Sequence, residues 1–125
     1  MKRKTTDTLL ILWWIAMFTV TSIPGSSLPE VDVVNFDKLV HVFIYGILAF
    51  LLTVAFTKRG IVGLKRSIFV ILIGLAYSVF DEWHQPFVGR TCSILDIIAN
   101  FIGIGLVTLV SLFVKPKVQE QIDAD

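Results

Sequence analysis

The chain predicts an all-α fold, an integral membrane four-helix bundle, and three observations carry that prediction. Of its 125 residues, 55% are hydrophobic and 17% are charged, against about 45–50% and about 25% in soluble domains. The apolar residues gather in long runs nearly free of charge, long enough for a hydrocarbon core of about 30 Å. Nine of the eleven Lys and Arg residues fall in three clusters beside those runs: Lys2-Arg3-Lys4, then Lys58-Arg59 with Lys65-Arg66, then Lys115 with Lys117. Cations in short flanking segments mark the cytoplasmic side. Both termini are therefore predicted cytoplasmic, and residues 1–125 form one multi-pass domain.

The first helix is predicted over about residues 7–23, through Leu9-Leu10-Ile11-Leu12-Trp13-Trp14, and Pro24-Gly25-Ser26-Ser27 ends it as a turn cluster. A cleaved signal peptide competes for this segment, with Lys2 to Lys4 as its basic region, but the apolar run is long and lacks an A-x-A site. Leu28 to Val34 carries Glu30 and Asp32 without a cation, as an exported loop would. The second helix is predicted over about 36–56, with Asn35 as its N-cap. A basic connection runs from Thr57 to Arg66. The third helix spans about 67–85 and stops before Pro86, which cannot continue it without cost. Phe87 to Cys92 makes a tight external turn. The fourth helix spans about 93–114, ahead of Pro116 and a polar, frayed tail.

The polar residues inside these helices are not scattered. Asp37, Lys38, His41 and Tyr45 share one face of the second helix at i, i+4, i+8 and i, i+3, i+7 spacing. The third helix ends with Tyr77, Asp81, Glu82, His84 and Gln85. The fourth begins with Asp96, Ala99, Asn100 and Gly103 in a single stripe. Because chain direction alternates, all three sets fall at the outer end of the bundle. A charge at the centre of a membrane helix costs about 2.5–3.5 kcal/mol on insertion scales. Such groups face inward or pair, so the spacing predicts a shared polar pocket opening outward. Lys38 and Arg90, the two cations outside the clusters, supply its counter-charge, and Ala99 and Gly103 allow close helix approach.

These residues resemble a known family. Asp37-Lys38-x-x-His41-x-x-x-Tyr45, then Tyr77-x-x-x-Asp81-Glu82-x-His84-Gln85-x-Phe87-x-x-Gly89-Arg90, then Ser93-x-x-Asp96-x-x-x-Asn100-x-x-Gly103 are similar to the VanZ-like family, in order and in spacing. Val88 stands near the place where that family usually shows a proline. The founding member is associated with resistance to the glycopeptide teicoplanin. The resemblance implies a small protein of the bacterial cytoplasmic membrane and cell envelope that affects glycopeptide susceptibility. It supplies no chemical mechanism.

Asp37, Lys38, His41, Tyr45, Glu82, Gln85, Arg90, Asp96 and Asn100 are the candidate ligand-binding residues. Glu82, as a general base, and His41, as a proton shuttle, are the candidate catalytic groups. The bland readings are specific too. Asp96 with Ser93 forms a capping-box pattern. Asn100 can be interhelical glue, and Arg90 an interfacial anchor or a partner of Glu82. Ser78, Cys92 and Ser93 border the site, but no nucleophile elbow surrounds them. Trp83 and Phe87 fit an aromatic belt, and Trp13 and Trp14 fit packing.

Whether the protein is an enzyme stays open at this point. One reading is a factor that binds membrane lipids, a lipid-linked cell-wall precursor or a partner protein. The alternative is an integral-membrane enzyme acting on a lipid or polyprenyl-phosphate head group. A small oligomeric transporter ranks last, because the inner halves of the helices are apolar apart from Thr53, Ser67 and Thr108. No cofactor is expected. No metal is expected either, since no H-x-x-x-H or C-x-x-C spacing appears. The cations line membrane edges and form no nucleic-acid stripe. Cys92 is alone, so no internal disulfide can form.

Overall fold

The computed structural model describes residues 2–28 and 35–114. Four helices account for most of them: α1 (Arg3–Thr21), α2 (Phe36–Thr57), α3 (Gly63–His84) and α4 (Ile94–Phe113). Short 3-10 turns occupy Gly25–Ser27 and Gln85–Val88, and no strand occurs among the described residues. The acidic loop expected at 29–34 and the polar tail expected after Val114 lie outside the described residues.

Two helices begin earlier than predicted. α1 starts at Arg3, not near Asp7, so its first turns carry Arg3, Lys4 and Asp7. For that reason α2, α3 with its 3-10 extension, and α4 are the three helices long and apolar enough to cross a membrane, and α1 falls short of them. Even so, α1 hides much of its polarity. The hydroxyls of Thr6, Thr8, Thr19 and Thr21 all bond back to carbonyls one turn earlier. α3 starts at Gly63, four residues before the predicted Ser67, and this draws Lys65 and Arg66 out of the loop into the helix. Pro86 does not end the winding abruptly. It sits near the start of a 3-10 turn, where its missing N–H costs little, and Gly89 closes that turn at a φ of 71°.

Chain direction alternates. Asp7 of α1 bonds Arg59 beyond the end of α2 at 2.8 Å, and Arg66 near the start of α3 reaches the Ser111 carbonyl near the end of α4 at 2.6 Å. Those ends carry the described basic clusters. The turn that follows α1 and the α3–α4 connection therefore meet at the opposite end, where a Cβ on Gly25 would lie 2.5 Å from the Gly89 carbonyl oxygen. α2 packs against all three other helices and most extensively against α4. The apolar core, with Met17, Tyr45, Leu48, Ala49, Leu52, Val70 and Ile104, runs along the centre. Ile11, Leu12, Leu39, Phe43, Leu72, Leu106 and Leu109 face outward. Apolar exposure around the whole bundle is what a hydrocarbon solvent requires.

Arg66 is 3% exposed and acts as a strap. Its guanidinium donates to the Thr57 hydroxyl at 2.9 Å as well as to Ser111, tying α2, α3 and α4 together where α2 and α4 end. One ammonium cannot reproduce that fork. Arg66→Lys is expected to lower stability by about 1–3 kcal/mol, the cost of an unmade buried bond. Thermal unfolding in detergent measures it, and an unchanged midpoint would show the strap to be idle.

Candidate functional site

The N-terminal halves of α2 and α4 and the last turns of α3 bring together eight of the nine candidate ligand-binding residues. Tyr45, Glu82, Gln85 and Asn100 are essentially without exposure, and His41 and Asp96 nearly so. Lys38 joins the interior to the surface. Its ammonium pairs with exposed Asp37 and, at 2.6 Å, with buried Asp96. Ordinary helix geometry produces this convergence: each side chain lies on the inward stripe of its own helix, and the alternation of direction stacks the stripes at one level.

Most of the buried polar groups are hydrogen-bonded to one another. Asn100 Nδ2 donates to Ser78 Oγ at 2.8 Å, and Asn100 Oδ1 lies 2.8 Å from His41 Nδ1. With the amide oriented this way, Oδ1 can only accept, so Nδ1 carries the imidazole proton. The other ring nitrogen, Nε2, faces Asp96 Oδ2 at 3.7 Å, beyond hydrogen-bond reach. Glu82 is held by both oxygens: Oε1 accepts from Gln85 Nε2 at 3.1 Å, and Oε2 accepts from the Ser93 backbone N–H at 2.9 Å. Tyr45 donates its hydroxyl to Asp81 at 3.2 Å. Ligand atoms of His41, Glu82 and Asp96 all lie within 4.8 Å of one another.

Several expectations need correction. The constellation is largely buried and bonded to itself, and it reaches the surface at Lys38 and Asp37. The two cavities described lie elsewhere along the α2–α4 seam, one of about 580 Å³ around Phe50, Thr53, Arg66 and Val110, the other of about 340 Å³ around Val42, Gly46 and Gly103. Arg90 is the ninth candidate, and it stands apart. Its backbone is tied to the Gln85 carbonyl, and its guanidinium donates to the Thr21 carbonyl at the end of α1 at 3.4 Å. It forms no ion pair with Glu82. His84 also turns away, meeting Phe18 of α1 at a tilt and stacking with Phe80. Asp96 does not complete a capping box: Ser93 makes no side-chain cap, and its N–H goes to Glu82 instead. Asn35 occupies the N-cap position in a left-handed conformation, φ 63°, without capping through its side chain.

Two members were undervalued in the sequence. Asp81 lies on the inward stripe with Ser78 and Gln85, and it anchors Tyr45. Ser78, weighed only as a nucleophile, accepts the bond that orients Asn100. Its place one turn before Asp81 and Glu82 was the available signal. Ala99 and Gly103 serve as expected: both are buried, and α2 comes into close contact at Gly103. Trp13 packs and donates its indole N–H to the Ile44 carbonyl at 3.2 Å.

A family model described as VanZ/LLP1 matches residues 3–115 of the chain. Neither the curated proteins nor the solved structures contain a match. The matched span contains every residue of the network.

Proposed function

The chain belongs to the VanZ-like family, and from that premise we propose that it is a multi-pass protein of the bacterial cytoplasmic membrane that binds an anionic head group. The ligand is a membrane lipid or a lipid-linked cell-wall precursor, and its capture alters glycopeptide access at the cell surface. One observation carries the reading. Lys38 is a partly exposed cation at the membrane-interface end of α2, held in place by an acid behind it and an acid beside it. Its two acidic partners offset its charge, so a phosphate or carboxylate binds there by taking the place of Asp37, the exposed partner, on the ammonium. α1 serves as a fourth span, both termini are cytoplasmic, and the network faces outward, because the described basic clusters sit at the other end.

Mass spectrometry of lipids retained by protein released in native membrane particles tests the binding. The wild type is expected to carry an enriched anionic lipid that Lys38→Ala loses, while Arg90→Ala, whose side chain caps α1, loses less. Identical lipid profiles would sink the reading. The orientation has its own test, and it needs no substitution. Cys92 is exposed in the connection beside the network, so a membrane-impermeant maleimide added to intact cells is expected to label it. Labelling only after lysis would invert the topology.

A second reading is favoured by the buried His41, Glu82 and Asp96 trio: an enzyme acting on the same head group, with Glu82 moving the proton. It predicts that Glu82→Gln retains the lipid but stops its turnover.

A further inference from the structure

We infer that His41, Glu82 and Asp96 form a three-ligand site for a divalent transition metal of the zinc type. The trio lies directly behind the Lys38 head-group site and is the one the enzyme reading above rests on. Metal is measured directly, however, so either reading can fail alone.

Three observations converge. First, the ligand atoms come from three different helices and lie within 4.8 Å of one another in a buried setting. Zinc binds His nitrogen and carboxylate oxygen at about 2.0–2.2 Å, so two donors on one tetrahedral ion sit about 3.3–3.6 Å apart. The His41 Nε2 to Asp96 Oδ2 separation, 3.7 Å, is already close to that spacing. Second, the His41 ring is oriented from behind. Ser78 holds Asn100, Asn100 Oδ1 lies 2.8 Å from Nδ1, and Nε2 is thereby the ring nitrogen turned toward Asp96 Oδ2, 3.7 Å away and beyond hydrogen-bond reach. A metal-bound His with its second nitrogen donating to a fixed oxygen is the usual outer-shell arrangement. Glu82 is steered in the same way, by Gln85 and by the Ser93 N–H.

Third, acidic groups outnumber basic ones. Asp81, Glu82 and Asp96 are buried at one level of the bundle, and their basic neighbours among the described residues are Lys38, shared with Asp37, and His41, 3.7 Å from Asp96. Unpaired charge in a membrane helix bundle is expensive. A divalent ion would offset most of that excess, and Lys38 on Asp96 Oδ1 leaves Oδ2 for it. The pattern escapes a sequence search because no two ligands share a helix. Three protein ligands would leave a fourth coordination position for a water.

The test uses full-length protein purified without a polyhistidine tag. Elemental analysis of the wild type is expected to find about one metal ion per chain. After chelation, added Co²⁺ is expected to give the visible absorption of a four-coordinate nitrogen–oxygen site. His41→Gln and Asp96→Asn are expected to weaken Co²⁺ binding at least about 100-fold, and Asn100→Leu, behind the ligand, about 10–100-fold. Asp7→Asn, at the other end of the bundle, keeps wild-type binding. Should a variant not fold, the wild type decides through its metal content and through a thermal midpoint lowered by chelator and restored by Zn²⁺. Metal-free wild type with no Co²⁺ spectrum overturns the inference. So does folded His41→Gln that binds Co²⁺ as the wild type does.

Discussion

Gly103→Ala is expected to break the seam on which the bundle depends, and Gly105→Ala, two residues on in the same helix, to leave it intact. A methyl on Gly103 would stand 2.2 Å from the Val42 carbonyl oxygen and 3.0 Å from the Gly46 nitrogen. Those atoms are backbone and cannot rotate aside, so α2 and α4 must separate. α2 against α4 is the largest helix contact, and it carries Tyr45, Leu48, Ala49 and Ile104 with it. Overpacking alone costs about 1–3 kcal/mol, occasionally more. Alanine returns about 1 kcal/mol of helix propensity, which does not offset both the clash and the loosened core. A net loss of about 2–4 kcal/mol is expected, with a thermal midpoint lower by on the order of 10 °C. A Cβ on Gly105 meets nothing within 4 Å, so that substitution should be neutral or slightly stabilising. A Cβ on Gly46 meets the Gly103 oxygen at an ordinary 3.7 Å and should be tolerated. Equal midpoints for the three variants would disprove the close approach.

This asymmetry between glycines shows where the sequence was readable and where it was not. Helical periodicity placed Gly103 on the inward stripe with Asp96, Ala99 and Asn100, and the structure keeps all four buried. Periodicity also put His41 with Tyr45, and Glu82 with Gln85, on inward faces, because one element's spacing determines which of its residues share a face. What spacing cannot determine is the rotation of one helix against the next. Arg90 and His84 follow their neighbours in sequence into the motif, yet His84, the last residue of α3, faces α1, and the 3-10 turn that follows carries Arg90 toward α1 as well. Ser93 looked like half of a capping box, but Glu82 from another helix outcompetes the local partner for its N–H. Arg66 looked like a loop cation. Winding α3 back to Gly63 placed it inside, where the carbonyl it bonds belongs to a residue 45 positions away. Each miss is a tertiary contact overriding a local pattern.

Replacing Asn100 with leucine tests the network at its most connected point. The side chain has no exposure and makes two bonds, to Ser78 and to His41, on two other helices. Interhelical hydrogen bonds in a bilayer average only about 0.6 kcal/mol, because the separated helices also find partners. Asn100→Leu does more than delete two bonds. It encloses the Ser78 hydroxyl and the His41 Nδ1 proton against apolar carbon, and an orphaned buried polar group costs about 1–3 kcal/mol. A loss of about 2–4 kcal/mol is expected, well above the glue value. The double variant Ser78→Ala with Asn100→Leu removes one orphan along with its partner. It should therefore be no less stable than Asn100→Leu alone, and the two single losses should exceed the double by about 1 kcal/mol. Thermal unfolding of the four proteins in one detergent closes the cycle. Strict additivity would mean that Ser78 and Asn100 are neighbours without a shared bond. The proton on His41 would then no longer be fixed from behind, and the imidazole would be free to donate to Asp96.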